Sequence, residues 1–254
     1  MELSIEKMAR AQFRLDTNCA LSYEKEYRIM INPRADLDGA RVVEGMSSFC
    51  RIIIFEGDAY IMADPAILPW IREKYEKSKP EWFCKYENLR TLDRKLNEYG
   101  YEIADTHVYF LPKEGLFAKI EEPEKLCPYE LKWLADEEIE GFRKENPWPH
   151  ALTFSATQPD VLAIAAMDEG EIIGMAGASS DGKYLWQIGI DIAQDYEGLG
   201  LASFLVSLVR DRILSKGIVP FYGTSESHAL SMRVGMKAGF APAWAEIFVR
   251  RISE

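Results

Sequence analysis

Histidine is scarce in this sequence and cysteine is scattered, which limits the metal and redox chemistry the chain can carry. The three histidines lie far apart, at His107, His150 and His228. The four cysteines show no Cys-x-x-Cys spacing and stand at Cys19, Cys50, Cys84 and Cys127. Metal sites built from these residues usually show short ligand spacings, so we predict no metal site and expect reduced thiols.

Long apolar runs are also missing. A helix needs about 20 consecutive apolar residues to cross a bilayer, and no window of the sequence approaches that length. Residues 1–6 lack the basic, apolar and small-residue pattern of a secretory signal. The sequence therefore predicts a cytoplasmic protein with no membrane partner.

Positive charge is in deficit, with 30 Lys and Arg residues against 41 Asp and Glu residues and a net charge of −11. Because nucleic-acid phosphates attract basic surfaces, this balance argues against a nucleic-acid partner. It mildly favours a cationic substrate. It also means that an anionic ligand would have to be held by local donors against the overall field.

A glycine-containing turn between a predicted strand and a predicted helix is the most informative stretch. Isoleucines alternate in Trp186–Ile192, as in a half-buried strand. From Leu201 to about Lys216 the apolar residues follow helical spacing. Between them, Gly198 and Gly200 can expose N–H groups beside the free N–H groups of the first helical turn, which together can cradle a pyrophosphate. On the glycines alone, an ordinary tight turn before a helix explains the pattern equally well.

Two motifs in the C-terminal half resemble the GNAT-type N-acetyltransferase superfamily, whose members use acetyl-coenzyme A. The cofactor signature Arg/Gln-x-x-Gly-x-Gly/Ala fits residues 197–202 at every position except its first, where Glu197 stands. The family's terminal helix ending in Gly-Phe matches residues 231–240, which end in Gly239-Phe240. The resemblance covers about the last 140 residues. It implies an α/β (α+β) fold with a mixed, mostly antiparallel sheet flanked by helices.

The predicted domain boundary is the Pro112–Gly115 cluster. Before it, a hairpin around Glu56-Gly57-Asp58, two helices and a strand predict a smaller mixed α/β N-terminal domain of unknown role, residues 1–112. After it, residues 113–254 are predicted to form the GNAT-like acetyltransferase domain. In that domain we predict a strand over 116–120, a helical region over 123–144, a hairpin around 168–170 and a closing strand over 243–251.

The resemblance implies acetyl-coenzyme A as co-substrate. Its pyrophosphate would lie on the glycine turn, and its pantetheine arm on backbone groups of Ile190 and Ile192, where the family strand splays from its neighbour. His228 stands where the family often has an asparagine that hydrogen-bonds this arm, although a helix-capping or exposed histidine is the alternative. The cofactor-binding residues are therefore predicted to be Ile190, Ile192, Glu197, Gly198, Leu199, Gly200, Leu201, Ala202 and His228.

The predicted catalytic residues are two carboxylates. Asp191 faces away from the side occupied by its isoleucine neighbours, so it can act as a general base or lie on a solvated strand face. Glu226 can act as a base near the same groove or be an ordinary loop carboxylate. Many family members place a tyrosine, the general acid, where this chain has Gly235, so the general acid is unassigned here. Tyr222 can substitute for it or be an ordinary core tyrosine.

The sequence thus predicts an acetyl-coenzyme A-dependent N-acetyltransferase that acts on a primary amine of a small molecule or peptide. The alternative is a non-catalytic GNAT-like module that binds coenzyme A, or has lost it, and serves as a binding or sensing module, because Glu197 and Gly235 depart from the family pattern. A homodimer is compatible with the sequence, which does not specify the oligomeric state.

Overall fold

The computed structural model describes residues 4–19 and 28–253, and in these residues the fold is mixed α/β with mostly antiparallel strands. The strands are β1 (Ile29–Pro33), β2 (Cys50–Phe55), β3 (Asp58–Ala63), β4 (Tyr101–Pro112), β5 (Glu130–Leu134), β6 (Asp160–Asp168), β7 (Glu171–Ser180), β8 (Leu185–Ile192), β9 (Val219–Thr224) and β10 (Phe240–Arg251). The α-helices are α1 (Ile5–Asp16), α2 (Leu68–Tyr75), α3 (Tyr86–Asn97), α4 (Pro123–Leu126), α5 (Asp136–Gly141), α6 (Leu201–Ser215) and α7 (Ala229–Lys237). Within this described part, no helix is long and apolar enough to cross a membrane.

The chain divides into two compact units that do not follow the sequence in two blocks. One unit holds Phe110–Pro242 with residues 4–8, and the other holds the described part of Ala9–Tyr109 with residues 243–253. The predicted C-terminal domain included residues 243–254. Residues 243–253 instead group with the first hundred residues, because β10 pairs with β2 from Trp244↔Phe55 to Ile247↔Ile52.

The unit containing Ala9–Tyr109 has the strand order β1-β3-β2-β10-β4. The hairpin predicted around Gly57 is confirmed, since Phe55 pairs with Asp58 across a turn in which Glu56 and Gly57 both have positive φ. Helices α2 and α3 bury apolar residues such as Ile71 and Leu92 in the core of this unit.

A buried cluster of four charged side chains lies in the same unit. Arg41 Nε is 2.6 Å from Asp16 Oδ2, and Arg41 Nη2 is 2.9 Å from Glu246 Oε2. Arg51 Nε donates to Glu246 Oε1 at 2.7 Å. Burial alone would raise the pKa of Glu246, but the adjacent Arg41 and Arg51 outweigh it and lower that pKa below its usual value. The two arginines and two carboxylates therefore neutralise one another.

The unit containing Phe110–Pro242 has the strand order β9-β8-β7-β6-β5. The predicted hairpin around 168–170 is confirmed, with Asp168 paired to Glu171 across Glu169 and Gly170. The predicted helix after the glycine turn is confirmed as α6, which packs against β6, β7 and β8.

Two local predictions in this unit are wrong. The helical region predicted over 123–144 contains β5, because Glu130–Leu134 pair antiparallel with β6 from Glu130↔Met167 to Leu134↔Ala163. The strand predicted over 116–120 does not form, because side chains of α6 hold this segment. Asp211 accepts the Ile120 N–H at 3.0 Å, and the Arg210 guanidinium lies 4.1 Å from the Phe117 ring centroid.

We predict that Glu246 makes the protein sensitive to acid. Because its pKa is lowered in the folded state, the unfolded chain binds more protons once the pH falls below about 4.5, its ordinary value. The free energy of unfolding should therefore be highest above this pH and should fall as the pH drops through the folded pKa. Chemical denaturation at a series of pH values measures this dependence.

Glu246→Gln should flatten the pH dependence in that window and lower the free energy of unfolding at neutral pH by about 3–5 kcal/mol, since both arginines lose a buried partner. Glu102→Gln is the control. It removes a more exposed pair with Arg250, which should cost less than about 1 kcal/mol. Equal losses in the two variants would contradict the importance of the buried cluster.

Candidate active site

The glycine turn lies at the N-terminus of α6. Gly198 has φ +77° and Gly200 has φ +87°, a left-handed conformation that disfavours other residues. No heavy atom lies within 4 Å of where a Cβ would stand at either glycine. Residues 197–200 are exposed, and the first turn of α6 carries no acidic residue. The turn therefore presents an open backbone surface at the positive end of a helix, where an anion is stabilised.

The unpaired N–H groups of this turn are the donors such an anion would need. In the described chain the backbone N–H groups of Gly198, Leu199 and Gly200 have no hydrogen-bond acceptor, whereas Glu197 donates to Gln194 O. Gly200 is the N-cap of α6, and Leu201 and Ala202 begin the helix. The six residues predicted to bind pyrophosphate thus form one continuous turn.

Strand β8 parts from β9 before it reaches the turn. The two strands pair in parallel from Leu185↔Val219 to Ile188↔Tyr222. On its other edge β8 stays paired with β7 as far as Ile192↔Gly174. In the described residues, Gly189–Ile192 therefore have no strand partner on the β9 side. Ile190 and Ile192 lie in this open segment, whose backbone groups are available to an amide-containing ligand.

The opposite faces of β8 meet different partners. On the face of Ile192, a Cβ added at Gly174 would lie 3.6 Å from Leu201 of α6. On the face of Gly189, the backbone of His150 and Ala151, within residues 148–152, lies directly on the sheet. A Cβ at Gly189 would be 1.8 Å from His150 O, and one at the paired Gly177 would be 2.0 Å from Ala151 O.

Asp191 anchors this segment, which we call the 148–152 crossing. Its Oδ2 accepts the backbone N–H groups of His150 and Ala151, each at 2.8 Å. Its Oδ1 lies 2.6 Å from His150 Nδ1. The Asp191 side chain is 14% exposed and the His150 side chain 79% exposed. The alternative of a solvated strand carboxylate is therefore wrong for Asp191.

The neighbouring part of the loop is anchored by a second carboxylate. Asp160 Oδ1 accepts the Thr153 N–H at 3.2 Å, and Asp160 Oδ2 accepts the Phe154 N–H at 2.8 Å. Burial raises the pKa of Asp160, and these two hydrogen bonds oppose the rise. Trp148, Ala151 and Leu152 pack in a core with residues of α5, β6 and β7.

The structure does not join the other predicted residues to Asp191. Glu226 lies exposed in the turn between β9 and α7, and His228 is the exposed N-cap residue of α7, whose side chain caps no N–H group. In the described chain, neither side chain has a hydrogen bond or ion pair with the glycine turn or with Asp191. Their roles stay predictions.

Gly235 departs from the family pattern for a steric reason. A Cβ at this position would lie 2.9 Å from Cδ1 of the Tyr222 ring, which fills the space above the helix. Tyr222 is 2% exposed, its hydroxyl is 2.8 Å from Ser231 Oγ, and burial raises its pKa. Tyr222 also forms the last pair before β8 and β9 part. The Tyr222 phenol therefore lies close to the start of the open segment of β8, with its hydroxyl in contact with Ser231.

Sequence reasoning missed His150. It stands in an irregular loop and is separated from Asp191 by two strands, so no spacing rule connects them. In the described residues, no group of three or more His, Cys, Asp or Glu side chains is arranged to hold a metal ion.

Comparison with known families identifies the domain that carries this site. Residues 127–240 match the model described as the Acetyltransferase (GNAT) family. This segment of the chain is similar to the GNAT acetyltransferase family. The match includes the open end of β8, the glycine turn and the 148–152 crossing, and it ends at Phe240, the last residue of the predicted Gly-Phe motif.

No curated protein is significantly similar to this chain. Among solved structures, a GCN5-related N-acetyltransferase-like protein from Streptococcus suis 89/1591 shares 15% identity with a TM-score of 0.49, over 96% of this chain and 100% of that one. A GCN5-related N-acetyltransferase from Kribbella flavida shares 14% identity with a TM-score of 0.48, over 85% and 91%. A GNAT-family acetyltransferase from Novosphingobium aromaticivorans shares 15% identity with a TM-score of 0.42, over 61% and 69%.

We predict that Gly189→Ala displaces the 148–152 crossing from the sheet. The new methyl group would overlap His150 O, and overpacking of this kind costs about 1–3 kcal/mol. The control is Gly141→Ala in α5, where a Cβ meets nothing within 4 Å and φ is not positive. Denaturant unfolding measures both variants, and equal stability of the two would show that the close approach at Gly189 is not required.

Proposed function

We propose that this protein is an acetyl-coenzyme A-dependent N-acetyltransferase that acylates a primary amine on a small molecule or peptide. The observation that carries the proposal is the junction of the open β8 edge with the glycine turn at the start of α6, inside a GNAT acetyltransferase domain. At one end of this junction, the open edge of β8 offers backbone groups without a strand partner. At the other end, the glycine turn offers N–H groups without a hydrogen-bond acceptor. Such a combination suits a ligand with both amide and phosphate parts.

The residues present fit acetyl-coenzyme A. The N–H groups around Gly198 and Gly200 would hold its pyrophosphate, and the backbone of Ile190 and Ile192 would hold its pantetheine arm. Glu197 opposes binding by its charge, but it is exposed and precedes the helix, so its side chain can extend into solvent. We expect weaker binding than an arginine at this position would allow. When bound, acetyl-coenzyme A supplies an activated acetyl group.

The residues of this chain would then position the acceptor amine and stabilise the charge that develops on the carbonyl oxygen. A free N–H on the open edge of β8 can donate to the carbonyl oxygen as it becomes negative. The 148–152 crossing lies beside that edge and would place the acceptor amine near the acetyl carbon. The Tyr222–Ser231 pair lies where β8 leaves β9 and can pass a proton toward the leaving sulfur.

A second candidate is a GNAT domain that binds coenzyme A or senses it without catalysis. The favouring observations are Glu197, in place of the usual Arg or Gln, and Gly235, where a Cβ would lie 2.9 Å from the Tyr222 ring. Both candidates predict ligand binding, and only the first predicts turnover.

Titration with acetyl-coenzyme A by calorimetry, followed by a free-thiol assay, separates the two. The amines offered would be a polyamine, an amino sugar and a peptide with a free N-terminus. We expect binding, and thiol release that depends on one class of amine. Binding without amine-dependent release supports the sensing module, and no binding at millimolar acetyl-coenzyme A contradicts both.

We predict that Gly200→Val weakens acetyl-coenzyme A binding by tenfold or more. The valine side chain would cover the open backbone, and its backbone would resist φ +87°. Calorimetry measures the affinity.

Gly115→Val is the matched control for backbone strain. Gly115 has φ +82°, nothing lies within 4 Å of its Cβ position, and it belongs to the same unit. It should lower stability by a similar amount and leave the affinity unchanged. Unchanged affinity in Gly200→Val would mean that the turn is not the pyrophosphate site.

A further inference from the structure

We propose that His150, oriented by Asp191, is the base that removes a proton from the acceptor ammonium. The proposal rests on the proposed function, since it concerns acetyl transfer at the same site. In place of direct catalysis by Asp191, the proposal has two residues acting together: His150 acts on the substrate, and Asp191 positions His150.

The position of His150 follows from its contacts. Asp191 lies in the segment of β8 that has no strand partner on the β9 side. Because His150 Nδ1 is 2.6 Å from Asp191 Oδ1, the imidazole ring lies over this open segment. The backbone of His150 is fixed there as well, since its N–H donates to Asp191 and its carbonyl lies over Gly189.

The proton arrangement follows from the chemistry of the pair. A carboxylate has only acceptor oxygens, so His150 Nδ1 must be the donor in its bond to Asp191. In the neutral ring, Nε2 then has a free lone pair. The side chain is 79% exposed. Nε2 is therefore an accessible proton acceptor beside the edge where the acetyl group would lie.

Asp191 itself is poorly placed to be the base. Its Oδ2 already accepts two backbone N–H groups, and its Oδ1 accepts the ring. Its side chain is only 14% exposed. If Asp191 took up a proton, it would lose an acceptor for one of these bonds and loosen the 148–152 crossing. His150 can gain and lose a proton at Nε2 without breaking any of them.

The reaction balances with these groups. The ammonium gives one proton to His150 Nε2, and the neutral amine attacks the thioester carbon. The C–N bond forms and the C–S bond breaks. The leaving thiolate takes a proton by way of the Tyr222–Ser231 pair, giving the thiol, and the second amine proton replaces the one that the pair gave up. His150 returns its proton to solvent, so each turnover yields one amide, one thiol and one proton.

Two measurements test the proposal, beginning with the tautomer of His150. Nitrogen-15 NMR of histidine-labelled protein reports it, since the chain has only three histidines and His150→Ala identifies the signal. We expect Nδ1–H for the neutral ring in the native protein and a loss of this preference in Asp191→Asn. A neutral ring protonated at Nε2 in the native protein would overturn the proposal.

The second measurement is the rate of amine-dependent thiol release. His150→Ala should lower this rate about 10²–10⁴-fold, leave acetyl-coenzyme A affinity unchanged, and regain activity when free imidazole is added. Asp160→Asn is the matched control, because it weakens the anchoring of the adjacent loop without touching His150. It should keep most of the activity, whereas Asp191→Asn should not.

The outcomes distinguish this proposal from the function on which it rests. If the native protein acetylates an amine and His150→Ala does so equally well, or loses activity that imidazole does not restore, His150 is not the base. If Asp160→Asn and Asp191→Asn lose equal activity, Asp191 only anchors the loop and does not position His150 for catalysis. If the native protein binds acetyl-coenzyme A and acetylates none of the amines, the proposed function fails, and the proton transfer with it.

Discussion

The early parting of β8 from β9 is the constraint on which the site depends. A strand interior normally has partners on both edges, because unpaired backbone groups are costly when they are buried. Here β8 is held along its length by β7, but β9 accompanies it only as far as Ile188. The segment that follows is rigidly placed on one side and open on the other, which suits a ligand that completes the missing pairs.

Close approach of backbone to backbone builds the wall beside this opening. Gly177 and Gly189 are directly paired, and neither position could carry a side chain without displacing the crossing above it. Two carboxylates then hold the loop, Asp191 by the N–H groups of residues 150 and 151 and Asp160 by those of residues 153 and 154. The glycines of the sheet and those of the turn thus serve different ends. The first pair admits a loop of the protein, and the second leaves the backbone exposed at the start of α6.

Departures from a family motif gain a physical meaning in this setting. The missing tyrosine at Gly235 is not a simple loss, since the ring of Tyr222 occupies the space and its hydroxyl contacts Ser231. Glu197 has no such compensation in the described residues. It lies exposed at the start of the turn, where its charge would act on a bound anion with little shielding by protein. The first departure bears on the proposed proton transfer and the second on the proposed binding of coenzyme A, so they need not have the same consequence.

Local pattern in the sequence determined the glycine turn, the start of α6 and both confirmed hairpins, because turn residues and apolar periodicity act over a few positions. It could not determine that residues 130–134 form an edge strand or that residues 243–253 pair with β2, since those outcomes depend on distant partners. The meeting of His150 with Asp191 was likewise decided only by the tertiary structure. The role proposed for this loop histidine depends on two tertiary contacts: the paired glycines let its backbone lie on the sheet, and a carboxylate of β8 contacts its ring.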